Sequence, residues 1–381
     1  MTTPGDAIFD TDAHNPVAIL AAPGAIELAK KVDYYLTKWN NESGREKVDS
    51  FIIDCDCPRF STGDGKGVIK ESIRGRDAFV VVDVGNYSCT YNMFGETNRM
   101  SPDDHYADLK RIISAIGGKA ERITVIMPIL YGGRQHKRSM RESLDAAMML
   151  QELYAMGVKD VVTFDAHDPR VQNAVPLMGF DNFMPTYQIL KALLRKFPDL
   201  NLDKNHFMVV SPDEGAMNRN KYYSSILGVD LGMYYKRRDY TTIVNGRNPI
   251  VAHEYLGGPV MGMDIFVTDD IIASGESLLS LARDLKSAGA NRIFLSSTYT
   301  MFTEGIEKFR DAYESGLISS VIGTNLTYLK PELKDEEWFI DADMSKYIAY
   351  IIAGCNQNRS VSAYIDPYSK INKLLNAYKK K

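Results

Sequence analysis

The chain has 381 residues of ordinary composition, 45% hydrophobic and 25% charged, which excludes collagen-like and disordered chains. At roughly 100–200 residues per domain, this length suggests two domains. The 45 basic residues stand against 49 acidic ones, a net charge of −4, which argues against duplex nucleic acid as the main partner. Cys55, Cys57, Cys89 and Cys355 form neither a zinc spacing nor a disulfide framework, and they point to a reducing, cytoplasmic compartment. The opening MTTPGDAIFDTDAHN lacks the basic-then-apolar pattern of a secretion signal, and no apolar run approaches the ~18 residues of a membrane span. A soluble protein with no membrane partner is the expectation.

Taken in chain order, apolar β-rich runs alternate with amphipathic segments. A helix over 26–39 precedes strands over 48–54 and 77–84, and a helix over 103–116 precedes a strand over 122–130. A helix over 143–157, a strand over 160–166, a helix over 186–197 and strands over 206–212, 231–237 and 264–270 follow. A helix over 277–289, a strand over 292–298 and two tail helices (SKYIAYIIAG and DPYSKINKLLNAYKKK) complete the pattern. Runs such as FVVVDV lack polar alternation, as in strands covered on both faces. The rhythm is that of an α/β protein with mainly parallel sheets flanked by helices. IGGKAERITVIMPI and KSAGANRIFLSST share a cadence that resembles one βα unit used twice. The Pro- and Gly-containing stretch 173–185 is the best boundary. The expected domains are 1–180 and 181–345, with C-terminal helices over 346–381 packing back on them.

The most informative segment is IFVTDDIIASGESLLSLARDL, 265–285. An apolar strand ends in Asp269 and Asp270, then Ala273, Ser274, Gly275, Glu276 and Ser277 lead into an amphipathic helix. Ligands of α/β sheets bind at the carboxyl ends of strands, and a helix N-terminus offers free N–H groups to phosphate. Adjacent carboxylates there can accept hydrogen bonds from vicinal sugar hydroxyls or hold Mg²⁺ through water. Helix capping by Asp and Ser accounts for the same residues more modestly.

VTDDIIASGES resembles the phosphoribosyl-diphosphate (PRPP) motif of the type I phosphoribosyltransferase fold, and further segments resemble the ribose-phosphate pyrophosphokinases in that family's order. These are CPRFSTGDGKG, ERITVIMPILYGGRQHKR, VVTFDAHDP, MVVSPDEGAMNR and YKRRD, so that the likeness covers about residues 20 to 325. The resemblance implies two phosphoribosyltransferase-like domains, ATP on the first and ribose 5-phosphate on the second. It implies Mg²⁺ and a homo-oligomer in which a neighbouring subunit contributes to the ATP site.

The family moves the diphosphoryl group of ATP to the anomeric hydroxyl of ribose 5-phosphate, giving PRPP and AMP. Carried over residue by residue, Phe60 would stack on adenine, with Thr62 and Asp64 where the family has Asp and Glu. Arg134 and Gln135 would hold ATP, and His167 and Asp213 would bind Mg²⁺. Lys236 would be the catalytic lysine and Arg238 a catalytic and substrate-phosphate arginine. Asp269, Asp270 and Ala273, Ser274, Gly275, Glu276 and Ser277 would take ribose 5-phosphate. Each also has a plainer reading: Phe60 as core, Arg134 to Arg138 and Lys236 to Arg238 as solvated basic turns, His167 as a strand-end histidine held by a carboxylate.

Three departures stand out. Thr62 removes one acid of the nucleobase loop, Ala273 replaces the third acid of the phosphate loop, and Glu276 puts a carboxylate where the family has Gly. If that side chain pointed inward, at ~5 Å and an effective dielectric near 20, it would repel one phosphate charge by roughly 3 kcal/mol. At the first turn of a helix it can instead point to solvent and favour the dipole. The leading reading is a ribose-phosphate diphosphokinase. A phosphoribosyltransferase and a catalytically silent regulatory paralogue are the alternatives.

Overall fold

The computed structural model describes residues 15–138, 140–238 and 250–379; the side chains of 236–238 and 250–253 lie outside the described residues. In chain order, β1 (Val17–Ala21), α1 (Ile26–Glu42), β2 (Cys55–Asp56), β3 (Val68–Ile69) and β4 (Asp77–Val81) are followed by a hairpin of β5 (Thr90–Met93) and β6 (Glu96–Arg99). Then come α2 (Pro102–Ile116), β7 (Arg122–Ile126), α3 (Asp145–Ala155), β8 (Asp160–Phe164) and β9 (Gly179–Phe183). The second half holds α4 (Thr186–Lys196), β10 (Phe207–Ser211), α5 (Met217–Leu227), β11 (Asp230–Arg238), β12 (Ile250–Leu256) and β13 (Asp264–Ile272). It continues with α6 (Glu276–Ser287), β14 (Ile293–Thr300), α7 (Glu307–Glu314), β15 (Ser320–Gly323), β16 (Phe339–Asp341), α8 (Ser345–Asn356), α9 (Ser362–Ile365) and α10 (Tyr368–Tyr378).

The chain divides into two compact units. The first runs up to Pro185 and takes in Asn325–Tyr328 and Asp343–Asp366; the second holds Thr186–Thr324, Leu329–Ala342 and the chain from Pro367 onward.

The first unit carries a five-stranded parallel sheet in the order β1-β4-β7-β8-β9. β1, β4, β7 and β8 are buried along nearly their whole length, which is why their sequences lack polar alternation, whereas the edge strand β9 is mostly half-buried. The segment 48–54, expected as a strand, makes only an isolated bridge from Ile52 to Ile19. The reason is local: the Asp33 carboxylate on α1 accepts from the Phe51 N–H (2.7 Å) and Ser50 Oγ (2.8 Å), drawing donors out of the ladder. β1 and β9 were not expected; each is a short run whose strand character comes from its neighbours. Helix α1 buries Leu28, Val32, Leu36 and Trp39, and Trp39 stacks on Tyr350 of α8 at 4.6 Å. α2 starts on a Ser101/Asp104 capping box with Pro102 behind it and stops at Gly117 in the left-handed region.

The second unit carries a seven-stranded sheet, β12-β11-β10-β13-β14-β15-β16, parallel except where β12 runs antiparallel to β11. Both faces are covered. Ile265, Val267 and Leu295 pack with Leu279 and Trp338 on one side, while Phe207, Val209, Phe266 and Phe294 pack with Leu193 and Ile371 on the other. Residues 239–249 lie outside the described residues, and 250–256 form β12.

The repeated cadence has a structural counterpart. In the first unit Arg122 forks onto Asp77 of the adjacent strand (2.9 and 2.5 Å). In the second, Arg292 forks onto Asp264 of the adjacent strand (3.1 and 2.6 Å). Both pairs tie neighbouring parallel strands at their amino-terminal edge, opposite the strand ends where ligands bind.

Candidate active site

Phe60 sits on the turn between β2 and β3, where its N–H bonds the Asp64 carbonyl (2.7 Å) and its carbonyl takes the Gly63 N–H (2.9 Å). The ring is 58% exposed, so the core reading of Phe60 does not hold. Thr62 Oγ1 donates to Asp64 Oδ2 at 2.8 Å, so the two residues in the diacid positions bind one another. The turn is anchored by Arg59, whose guanidinium forks onto the buried Asp108 carboxylate (2.5 and 3.0 Å).

Arg134 and Gln135 follow β7 on a tight turn, both exposed, with the Gln135 N–H on the Gly132 carbonyl at 2.8 Å. Gly132 is required: its φ is +65°, and a Cβ there would meet Asp145 Cβ at 2.8 Å. At the end of β8, Asp165 turns the chain with φ +42° and His167 emerges exposed. The imidazoles of His167 and His136 lie 5.3 Å apart, and His136 Nε2 lies 3.5 Å from Asp168 Oδ2. Reading His136 as one of a solvated basic cluster missed this neighbour; a histidine two residues past an Arg at a strand end was the available signal. Asp168 is engaged by Arg170, which with His136 holds its carboxyl down to about 2.

In the second unit Asp213 follows β10, and its Oδ1 accepts from the Ala216 N–H at 3.1 Å. The β13 strand runs on past the acids, so Asp269 and Asp270 lie within it, Asp269 in register with Ser297 of β14. Burial and the neighbouring Asp270 push the Asp269 carboxyl up to about 7, against the pull of Arg219 at 3.7 Å. Gly275 is the N-cap of α6 with φ +81° and no side-chain cap, which leaves the first-turn N–H groups for an anion. Its hydrogen faces Phe309: a Cβ would stand 2.1 Å from the ring Cζ. Ser274 Oγ lies 3.5 Å from the Glu276 N–H, and Thr303 donates its N–H to the Ala273 carbonyl. The Glu276 carboxylate is turned to Arg283 (3.3 Å) and Lys308 (3.8 Å), and Ser277 is exposed beside it.

Lys236 and Arg238 end β11, where the Lys236 backbone pairs with His253 and the register shifts between Arg237 and Arg238. Their side chains lie outside the described residues.

Within the first unit, the exposed imidazole of His167 and beside it His136, whose buried Nδ1 has no partner, could ligate a divalent cation through nitrogen, and in the second unit Asp213 offers a hard carboxylate suited to Mg²⁺. Asp160, Asp181 and Cys355 gather within 4.8 Å at the beginning of β8 and β9. Burial pushes the Cys355 thiol up to about 12, which disfavours the thiolate a metal would need, and, with the Asp181 charge, raises Asp160 to about 6. Among the described residues, no helix is long and apolar enough to cross a membrane.

Residues 17–157 match the family model for the N-terminal domain of ribose phosphate pyrophosphokinase, and residues 181–315 match the phosphoribosyl transferase domain. A ribose-phosphate pyrophosphokinase of Shewanella oneidensis is 29% identical over 311 residues, 80% of this chain and 88% of that one. One from Haemophilus influenzae is 25% identical over 353 residues, 91% of this chain and 98% of that one. The phosphoribosylpyrophosphate synthetase structure from Mycobacterium smegmatis shares the fold, with a TM-score of 0.71 at 22% identity over 90% of this chain and 100% of that one.

Proposed function

The chain belongs to the ribose-phosphate pyrophosphokinase family and is an enzyme of that class, and from that premise we propose that it transfers the diphosphoryl group of ATP to ribose 5-phosphate. The anomeric hydroxyl oxygen attacks the β-phosphorus, the bond to the α,β-bridging oxygen breaks, AMP leaves, and the hydroxyl proton is released. The observation that carries this reading is the uncapped Gly275 turn five residues after the Asp269–Asp270 pair, beyond the end of the same strand. It joins a cradle of N–H groups for the 5-phosphate to carboxylates for the ribose hydroxyls.

Phe60 offers a face to the base, and Arg134 and Gln135 reach the nucleotide. His167 of the first unit would be a ligand to Mg²⁺, and so, taken by itself, would Asp213 of the second; when bound, the ion neutralises charge on the transferring group. Lys236 and Arg238 supply cations to the charge that develops at phosphorus. With Glu276 engaged by Arg283 and Lys308, the phosphate cradle keeps its favourable potential. The protein acts as a homo-oligomer in the cytoplasm.

The test is AMP release from ATP and Mg²⁺ with and without ribose 5-phosphate, with PRPP identified by phosphorus NMR. Sugar-dependent AMP together with PRPP is the expected result. Saturable nucleotide binding with no AMP would overturn the reading in favour of a silent regulator.

A further inference from the structure

The β5–β6 hairpin is built against the turn that carries Phe60. The Phe94 N–H donates to the Ser61 carbonyl at 2.9 Å, and Met93 lies so close to Gly63 that a Cβ there would stand 2.6 Å from the sulfur. Tyr91 lies under the Arg59 guanidinium, 5.1 Å from ring centroid to carbon. Three successive hairpin contacts thus set the position of one turn.

The tip is more telling. Met93 pairs with Glu96, so the connection is the two residues Phe94 and Gly95, with φ of +54° and +82°. Both positive values mark the type I′ kind of loop, whose first position favours Asn or Asp and is costly for a bulky side chain. Phe94 nevertheless occupies it and is 77% exposed. No burial offsets the strain. An unfavourable backbone holding an exposed aromatic ring is what a ligand contact requires and what packing does not explain.

We propose that the hairpin is a specificity element of the nucleotide site, with Phe94 presenting a second aromatic face to the base beside Phe60. The inference rests on the reading above in which Phe60 takes the base. A planar heterocycle fits better than a protein partner because, among the described residues of β5 and β6, Thr90, Asn92, Glu96, Thr97 and Arg99 are polar and exposed. Phe94 is the large apolar side chain exposed there. Two single rings on turns tied together by the Phe94–Ser61 backbone bond suit one base; a protein interface needs a wider apolar patch.

The experiment compares Phe94→Asn, Phe94→Tyr and Phe60→Ala by calorimetric titration with ATP and with inorganic tripolyphosphate, which has the phosphates without the base. Asn suits the left-handed tip, so Phe94→Asn keeps the fold and the melting temperature does not fall. ATP affinity is expected to drop roughly tenfold to a hundredfold in Phe94→Asn, the range for one base–aromatic stack. Tripolyphosphate affinity stays unchanged, and Phe94→Tyr restores ATP binding. If Phe60→Ala weakens ATP but Phe94→Asn does not, the proposal fails and the base site stands. If Phe60→Ala has no effect, the nucleotide reading itself falls and takes the proposal with it. Equal losses for ATP and tripolyphosphate in Phe94→Asn would reduce the hairpin to a scaffold. A change of oligomer mass in light scattering with ATP affinity intact would make the tip a subunit contact and overturn the proposal.

Discussion

Replacing Gly275 by alanine perturbs the phosphate loop at a single atom. The residue holds φ +81°, where a Cβ costs about 1–2 kcal/mol. That Cβ would also lie 2.1 Å from Phe309 Cζ and 2.6 Å from Cε2. Phe309 cannot swing aside, since its ring is fully buried between Phe302 (4.9 Å) and Trp338 (5.8 Å). Overpacking of this kind costs about 1–3 kcal/mol. The sum is about 2–5 kcal/mol, a fall in Tm on the order of 5–15 °C for a unit of this size. The loop must move to relieve the contact, so the KM for ribose 5-phosphate should rise at least about tenfold, because the cradle is backbone. Thermal unfolding and sugar titration of Gly275→Ala measure both effects. Adding Phe309→Leu removes the offending ring atoms, so the double variant should be about 1–2 kcal/mol more stable than the two single effects summed. A Tm within about 1 °C of the parent and an unchanged KM would refute the argument.

Glu276→Gln should change the KM for ribose 5-phosphate by less than about threefold, because the carboxylate is already turned to Arg283 and Lys308; a tenfold fall in KM would show that it faces the phosphate. Lys236→Ala should lower kcat by about a hundredfold or more while ATP affinity stays within a few fold, which single-turnover assays and titration separate; near-normal turnover would remove its catalytic role. The raised Asp269 carboxyl favours the folded protein only while it is protonated. Its stabilising effect is complete below the ordinary value near 4 and is lost as pH rises to about 7. Asp269→Asn should therefore match the parent in acid and exceed its stability at pH 8, as read by thermal unfolding; a stability difference that does not change with pH would contradict this. Removing divalent metal with a chelator should abolish AMP formation, and His167→Ala should raise the Mg²⁺ concentration for half-maximal rate; full activity without metal would exclude the proposed Mg²⁺ role.

Local order in the chain was enough for much of the molecule. β4, β7, β13 and β14 are apolar runs too long and too β-rich to be anything else, and the Ser101–Pro102 and Gly117 punctuation sets the ends of α2. The glycine turn that opens α6 was legible because small residues between an apolar strand and an amphipathic helix are a local property, although the strand itself runs two residues beyond the acids. Tertiary structure decided what depends on partners distant in sequence. Whether 48–54 became a strand turned on Asp33, seventeen and eighteen residues from the groups it takes. The direction of Glu276 turned on Lys308 of α7, and the necessity of Gly275 on the Phe309 ring beneath it. His136 reads as one more surface base until β7 and β8 lie side by side and bring it to His167. Phe94 carries no signal of its own in the sequence, where no strand was read over 90–99; only the hairpin places it at the tip with its ring exposed. Periodicity reports which face of an element is apolar, but charge direction, close approach and exposure arise only when separate elements meet.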